Sequence, residues 1–253
     1  MTETILYTQQ GNVGQLLLNN PDRHNSLGEE QLLAIQGCLD GLPGRLDSPR
    51  VLVVTGAGGR TFCAGAALQE LTSGKISGEL FQETTNKLAQ LPIPTLAAVN
   101  GNAFGGGVEL ALSCDFRIGV AGSRFRVPAA AIGLCYPVNG IQRFVQRLGI
   151  STAKRLLLAA EELCCEKMLA LGFLDYLVEL DELEPKLEQL TKNLASMAPL
   201  SLLAMKAIIQ AETSGEIAQD YANDLSKSCL ESADLQEGFA AQREGRRPEF
   251  KGV

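Results

Sequence analysis

The sequence has little histidine, no tryptophan and few aromatic residues, and these shortages exclude several kinds of site. Its 253 residues include a single histidine, His24, and aromatic side chains make up 5% of the chain. A Ser–His–Asp triad or a zinc site of several histidines would have to be built on His24 alone. Few aromatic rings also leave few platforms on which nucleic-acid bases can stack. We therefore expect chemistry that does not depend on imidazole, and no metal site.

Positive charge and long apolar runs are also scarce. The chain carries 22 Lys and Arg against 29 Asp and Glu, a formal net charge of −7 at pH 7. Nucleic-acid phosphates need a basic face, so nucleic acid is not an expected partner. No apolar run reaches the length of a membrane span, and the first residues lack a basic segment, so we expect neither a membrane span nor a signal peptide. The 7 cysteines include no CxxC pair, which favours reduced thiols in a cytoplasmic protein.

Short apolar runs that alternate with helical patterns indicate an α/β chain with parallel strand pairing. Strands are predicted at residues 13–18, 51–55, 95–99 and 116–120, with a weaker one at 173–178. A capping box at residues 26–29 indicates the start of a first helix, and Ser151 is placed to cap a later one. Further helices are predicted at 152–160, 200–212, 216–232 and 234–244. The change from α/β to helical character falls near residue 190, without a flexible linker.

Two glycine-containing loops, residues 62–68 and 100–110, each follow a predicted strand and lead into a helix. A helix that opens on Gly105, Gly106 and Gly107 leaves free N–H groups at its positive end, with no side chain to obstruct an approaching anion. Two such loops side by side can hold one oxyanion between backbone amides. The alternative is that these glycines serve only close helix packing or a tight turn.

Nucleotide-binding motifs are incomplete in this chain. Residues 56–58 (Gly-Ala-Gly) match the start of a dinucleotide fingerprint, but its third glycine is missing and no helix follows at once. The chain has no GxxxxGK[ST] phosphate-binding loop. Glu109 is the polar residue of most interest, because it lies in the first turn of an otherwise apolar helix. It is either a carboxylate favoured by the helix dipole or a general acid/base with a raised pKa, and the residues alone leave both open.

Five segments together resemble one family, the crotonase or enoyl-CoA hydratase/isomerase superfamily. They are Asn25-Ser26-Leu27, residues 62–68, the long motif AVNGNAFGGGVELALSCD at 98–115, residues 237–239 and residues 247–252. The resemblance implies a spiral of ββα units over residues 1–190 and a C-terminal helical trimerisation region over 191–253. It implies an acyl-CoA thioester substrate, with coenzyme A as part of the substrate and no separate cofactor, and a homotrimer or hexamer.

The same resemblance implies the site residues. The backbone amides of Ala66 and Gly106 would hold the thioester oxygen, and Glu109 would transfer protons. The residues implied to bind the coenzyme A part are Asn25, Ser26, Leu27, Arg60, Ala64, Gly65, Gly105, Phe250 and Lys251. A solvated charge is an equally good explanation of Arg60, and a solvated helix end is nearly as good an explanation of the basic tail at 243–251.

The sequence departs from the family pattern where hydratases carry a second glutamate. Ala129 stands at that position, and residues 116–160 contain no Asp or Glu. Tyr136, Cys135 and Asn139 lie in the following segment and can supply a replacement group. We expect an enzyme of the hydratase/isomerase type, in which a single carboxylate suits isomerisation. The alternatives are another enolate reaction, such as decarboxylation or C–C cleavage, and a catalytically degenerate acyl-CoA-binding subunit.

Overall fold

Strands and helices alternate along the chain in a computed structural model that describes residues 3–42, 48–215 and 218–253. The strands are β1 (Ile5–Gln10), β2 (Val13–Leu18), β3 (Val51–Gly56), β4 (Thr61–Cys63), β5 (Thr95–Val99), β6 (Asn102–Phe104), β7 (Phe116–Val120), β8 (Arg124–Arg126), β9 (Leu163–Cys164) and β10 (Tyr176–Val178). The helices are α1 (Glu29–Asp40), α2 (Leu68–Thr72), α3 (Gly78–Gln90), α4 (Gly106–Leu112), α5 (Val138–Leu157), α6 (Cys165–Ala170), α7 (Leu183–Ala195), α8 (Pro199–Ser214), α9 (Gln219–Leu230) and α10 (Ala233–Glu244). Four predicted strands are confirmed as β2, β3, β5 and β7, and the weak fifth is shortened to β10.

Successive strands are distributed between two sheets. The larger sheet has the order β1-β2-β3-β5-β7-β10, and the smaller one has the order β4-β6-β8-β9. Neighbours are parallel except for the β1–β2 and β8–β9 pairs, which are antiparallel. In the pairs β3/β4, β5/β6 and β7/β8, the first strand joins the large sheet, the second joins the small sheet, and a helix follows. The last two strands reverse this order, because β9 joins the small sheet and β10 returns to the large sheet after α6. The repeated ββα unit confirms the α/β spiral that the family resemblance implies.

The central strands are apolar over most of their length because both faces of the large sheet are covered. On one face, the buried aromatic residues Phe62, Phe125, Phe144 and Phe173 belong to the main core. On the other face, Leu183 of α7 packs with residues of β3, β5 and β7. These two layers hold β3 and β5 in place, and after each of them the chain passes to β4 and β6 of the small sheet, at whose ends the glycine-containing loops lie.

Two predicted helix starts are displaced by a few residues. Helix α1 begins at Glu29, and Gly28 is its N-cap, whose N–H donates to Gln31 Oε1 at 2.9 Å. Ser26 cannot cap this helix because Leu27, which follows it, is paired as an isolated bridge with Ala66. Helix α5 is broken at Gly149 (φ 75°, ψ 161°), and the helix predicted at 152–160 follows this break and ends at Leu157. Ser151 lies inside the first turn after the break and is not its cap.

The last three helices confirm the predicted helical character of the C-terminal part. Pro199 is the first residue of α8, and α9 and α10 fall within the predicted ranges or one residue outside them; residues 216–217 of the predicted 216–232 helix lie outside the described residues. Residue 190 lies inside α7, and the division into units 1–190 and 191–253 stays a prediction. In the described ranges, no single helix is both long and apolar enough to cross a bilayer. The segments Leu180–Ala195 and Pro199–Thr213, which meet at a sharp bend, reach that length and apolar composition only when they are taken together.

Candidate active site

The two glycine-containing loops lie against each other at the ends of β4 and β6. Gly65 has a φ of +84°, and a Cβ atom built on it would lie 2.6 Å from the Gly106 nitrogen and 2.8 Å from the Phe104 carbonyl oxygen. Only glycine permits both this conformation and this close approach. Leu27 fastens the first loop, because its N–H donates to Gly65 O and its carbonyl accepts from Ala67 N, both at 2.8 Å.

Two backbone amides at this junction are free. Within the described residues, neither the Ala66 N–H nor the Gly106 N–H donates a hydrogen bond. Gly106 is the first residue of α4, where N–H groups have no partner inside the helix. Ala66, Gly106 and Glu109 line one cavity of about 100 Å³. The structure therefore brings together the three residues that the sequence analysis singles out as catalytic.

Glu109 is buried in the first turn of α4 with 1% of its surface exposed. Its Oε1 atom accepts hydrogen bonds from Thr85 Oγ1 at 3.0 Å and from Arg143 Nη1 at 2.8 Å. Burial raises the pKa of the Glu109 carboxyl above its usual range, and the positive charge of Arg143 opposes that rise. A carboxyl with a raised pKa that lines a cavity has the capacity to take up a proton and return it.

Several residues around Glu109 were not singled out from the sequence. Arg143 holds the carboxylate, and its second nitrogen, Nη2, donates to Asn86 Oδ1 at 2.8 Å. Thr85, in α3, is the other residue that donates a hydrogen bond to Glu109. The sequence does contain one signal, because Gly140 and Arg143 are three residues apart in a helix and therefore lie on one face. Nothing in that spacing shows that the face meets Glu109.

Asn25 and Leu27 position the first loop. The Asn25 side chain is buried, and its Nδ2 donates to the carbonyls of Ala57 at 3.0 Å and Thr61 at 2.7 Å. Leu27 is fully buried in the main core. Both side chains are turned into the protein, and the coenzyme A binding that the resemblance implies for these two residues stays a prediction. Their buried contacts hold the chain in place beside Ala66.

Five further candidates lie in or beside the same two loops. Ser26 and Ala64 are half-buried, and Gly65 is buried. The Gly105 N–H donates to Arg126 O at 2.8 Å, which ties the second loop to β8. Arg60 lies at the start of β4 with an exposed side chain that has no partner among the described residues.

Phe250 and Lys251 lie elsewhere on the chain. The Phe250 carbonyl accepts from Arg50 Nη2 at 2.7 Å, and the Lys251 N–H donates to Asp234 Oδ1 at 2.7 Å. Lys251 borders a groove of about 720 Å³ that it shares with Arg50. Neither tail residue lines the Glu109 cavity. Within one chain, the structure does not bring the C-terminal candidates to the other site residues.

Ala129, at the position of the second glutamate, is 6% exposed. It lines a second, largely apolar cavity of about 400 Å³, which shares Leu134, Cys135 and Tyr136 with the Glu109 cavity. Among the described residues that line the smaller cavity, Glu109 is the only carboxylate. Tyr136 and Cys135 line it as well, whereas Asn139 does not. Across the described ranges, no three His, Cys, Asp or Glu side chains are grouped so that they could hold a metal ion.

The fold can now be compared with known structures. The chain superposes on the crystal structure of an enoyl-CoA hydratase from Bacillus anthracis with a TM-score of 0.90 and 28% sequence identity, covering 99% of this chain and 100% of that one. Two mostly parallel sheets built from ββα units, with helices at the C-terminal end, therefore define a protein of the crotonase fold.

Sequence comparison identifies the family within that fold. The family model described as enoyl-CoA hydratase/isomerase matches residues 8–253. The chain is 30% identical to a crotonyl-CoA hydratase of Syntrophomonas wolfei, over 98% of both chains. It is 32% identical to a 1,2-epoxyphenylacetyl-CoA isomerase of Escherichia coli, over 100% of both. The chain belongs to the enoyl-CoA hydratase/isomerase family, and it is an enzyme of that family.

Proposed function

We propose that this enzyme acts on an acyl-CoA thioester whose carbonyl oxygen lies between the N–H groups of Ala66 and Gly106, and that Glu109 transfers the proton. The observation that carries this proposal is the single cavity that two free amides and one buried carboxylate line together. The similarity to a crotonyl-CoA hydratase and to an acyl-CoA isomerase supports the substrate class.

The proposed reaction begins with removal of a proton from the carbon next to the thioester carbonyl. Negative charge then develops on the carbonyl oxygen, where the N–H groups of Ala66 and Gly106 stabilise it; one such donor is worth about 10²–10³ in rate. Thr85 and Arg143 hold Oε1 of Glu109, so Oε2 is the oxygen that accepts the proton. Its return to a different carbon completes an isomerisation, and Glu109 ends the cycle as a carboxylate.

Isomerisation is the reaction of this type that one carboxylate can complete alone. Hydration also requires a water to be activated at one carbon while a proton reaches its neighbour, and a well-placed proton-transfer group is worth about 10²–10⁴ in rate. Ala129 leaves the wall of the adjoining cavity without such a carboxylate. Decarboxylation, C–C cleavage and a purely acyl-CoA-binding role are the outcomes that the experiment below separates.

The coenzyme A part of the substrate is proposed to lie beside Ser26, Ala64 and Arg60, and no separate cofactor is required. Phe250 and Lys251 lie away from the Glu109 cavity of their own chain, so we propose that they contact coenzyme A bound to a neighbouring subunit. That proposal requires a homo-oligomer, a trimer or hexamer. A cytoplasmic location stays a prediction.

The test is a panel of acyl-CoA thioesters incubated with the enzyme in deuterated water. Mass spectrometry separates hydration, isomerisation and decarboxylation, and deuterium exchange without a product reports proton removal alone. Glu109→Gln keeps the side chain's shape and is expected to lower turnover by about 10²–10⁴ while acyl-CoA still binds in calorimetry. Unchanged turnover of this variant would contradict the assignment of Glu109.

Ala129→Glu is the complementary variant, because it restores a carboxylate at the position where family hydratases carry one. We expect it to increase hydration of crotonyl-CoA. Binding of acyl-CoA without exchange or product in the unmodified enzyme would instead support a binding subunit.

A further inference from the structure

Three consecutive polar residues of α3 contact three different groups. Thr84 is fully buried, and its Oγ1 accepts a hydrogen bond from a glutamine side chain of α1 at 2.9 Å. Thr85 Oγ1 donates to Glu109 at 3.0 Å. Asn86 Oδ1, the last of the three, accepts from Arg143 Nη2 at 2.8 Å. Because Thr84 and the buried apolar residues of α3 fix the helix in the core, Asn86 offers Arg143 an acceptor in a fixed place.

The guanidinium group of Arg143 is held at both of its terminal nitrogens. Nη1 donates to Glu109 Oε1 at 2.8 Å and to Thr85 Oγ1 at 3.3 Å, and Nη2 donates to Asn86. A guanidinium is a planar fork, so acceptors on both nitrogens define the direction of the whole group. The Arg143 side chain is 12% exposed, which leaves little room for water to replace a lost acceptor. Asn86 therefore fixes the half of the fork that does not touch Glu109.

Asn86 and Arg143 do not line the cavity that Ala66, Gly106 and Glu109 share. Any effect of Asn86 on the reaction must therefore pass through Arg143 to the carboxylate of Glu109. Without an acceptor on Nη2, the guanidinium is free to turn about its last bonds, and the carboxylate that it holds turns with it. Misplacement of a reacting group by about 1 Å costs about 10²-fold in rate.

We propose that Asn86 is a positioning residue of the reaction, because it holds Nη2 of Arg143 so that Nη1 fixes the orientation of the Glu109 carboxylate. This inference rests on the proposed function, in which Glu109 moves a proton between two carbons. The proton leaves the carbon next to the thioester carbonyl, the double bond moves by one position, and the proton returns two carbons further on, so no other reactant is consumed. A carboxylate that must reach two carbons in turn needs a defined orientation.

The charges around Glu109 give this role a signature in the pH dependence of the reaction. The groups beside the carboxyl are Arg143 and, behind it, Arg147 on α5, Thr85 on α3, Tyr136 before α5 and Cys63 on β4. Of these, the two arginines are the charged ones, because burial raises the pKa of the Cys63 thiol to about 12 and that of Tyr136 well above its usual range. A carboxylate introduced at position 86 would share Arg143 with Glu109. It would thereby raise the pKa of Glu109, and activity would be lost in acid at a higher pH.

The test follows isomerisation of 3-hexenoyl-CoA by the absorbance of its conjugated product. Asn86→Leu keeps the approximate size of the side chain and removes the acceptor. We expect its kcat to fall by about 10- to 10²-fold, while the Kd for butyryl-CoA in calorimetry stays unchanged. Gln82→Leu is the matched control, because it removes another half-buried amide of α3, one turn earlier, whose side chain bonds no described residue. It should keep the kcat of the unmodified enzyme.

Asn86→Asp separates a positioning role from a merely structural one. It keeps the acceptor, so kcat should recover to that of the unmodified enzyme at high pH, with the acidic limb of the profile displaced upward by about 1 pH unit. The inference is overturned, while proton transfer by Glu109 stands, if Asn86→Leu keeps its kcat, if Gln82→Leu loses as much, or if Asn86→Asp is as slow as Asn86→Leu at every pH. No isomerisation or deuterium exchange by the unmodified enzyme would instead overturn the proposed function.

Discussion

Replacing Arg143 by methionine removes the one positive charge that contacts Glu109 among the described residues, while most of the alkyl chain is kept. The two side chains are 2.8 Å apart, and they are 12% and 1% exposed. At this depth solvent cannot replace the lost partner, so the carboxylate would remain buried and uncompensated. Breaking a buried pair in this way costs about 3–5 kcal/mol in the free energy of unfolding. We expect the free energy of unfolding of Arg143→Met to be lower than that of the unmodified protein by an amount in this range at pH 8.

The loss should depend on pH with a definite sign. The pKa of Glu109 is already raised by burial in the folded chain, and removal of Arg143 raises it further. The penalty of a buried carboxylate therefore develops as the pH rises from the ordinary carboxyl pKa to the raised value of the folded state, and it is fully present above that value. Below the ordinary carboxyl pKa, Glu109 is neutral in both the folded and the unfolded chain. The loss of stability in Arg143→Met should then shrink to the contribution of the hydrogen bonds that Arg143 makes as a donor.

Urea unfolding at pH 4 and at pH 8 measures both the loss of stability and its dependence on pH. The double variant Glu109→Gln, Arg143→Met is the control, because a neutral amide needs no counter-charge and should recover part of the loss. A loss below about 1 kcal/mol that is equal at the two pH values would refute the reasoning, since that is the behaviour of an exposed pair. So would a double variant that is no more stable than Arg143→Met alone.

Two further predictions concern the loops and the assembly. Gly65→Ala and Gly59→Ala both place alanine at a positive φ, at a cost of about 1–2 kcal/mol each, but only position 65 also meets a backbone atom, the Gly106 nitrogen. Urea unfolding should show a lower free energy of unfolding in both variants. Turnover should fall about 10²-fold or more only in Gly65→Ala. Equal turnover in the two variants would contradict the role of the loop contact. Sedimentation velocity at micromolar concentration should show three or six chains, and a monomer would remove the proposed contact of Lys251 with a neighbouring subunit.

Strands β2, β3, β5 and β7 of the large sheet were predictable from local patterns, whereas β1 and the short strands of the small sheet were not. Residues 51–55 and 95–99 are continuous apolar runs because both strands are covered on both faces. Residues 13–18 alternate in burial, as expected for a strand with one covered face. The glycine-containing loops were also predictable from the residue types, because a position such as Gly65, with a positive φ, is one that other residues rarely occupy.

Helix starts were less predictable because they depend on distant parts of the chain. Ser26 has the right residue type for an N-cap, but the pairing of Leu27 with Ala66 delays the helix to Glu29. The second half of α5 likewise begins after Gly149, two residues before the predicted cap at Ser151. In both places, a tertiary contact or a single glycine conformation moves the helix start by a few residues.

The sequence by itself determined the α/β character with parallel strands and the two glycine-containing loops, because apolar periodicity and glycine positions constrain the backbone directly. The ββα spiral, and the alanine at position 129 where hydratases carry a second glutamate, came from the family resemblance and not from local patterns. Only the tertiary structure decided the surroundings of Glu109: the ion pair with Arg143, the hydrogen bond from Thr85 and the nearby ring of Tyr136. Those groups come from α3, α5 and the segment before it, and a pKa depends on charges and burial in space, which no spacing along the chain encodes.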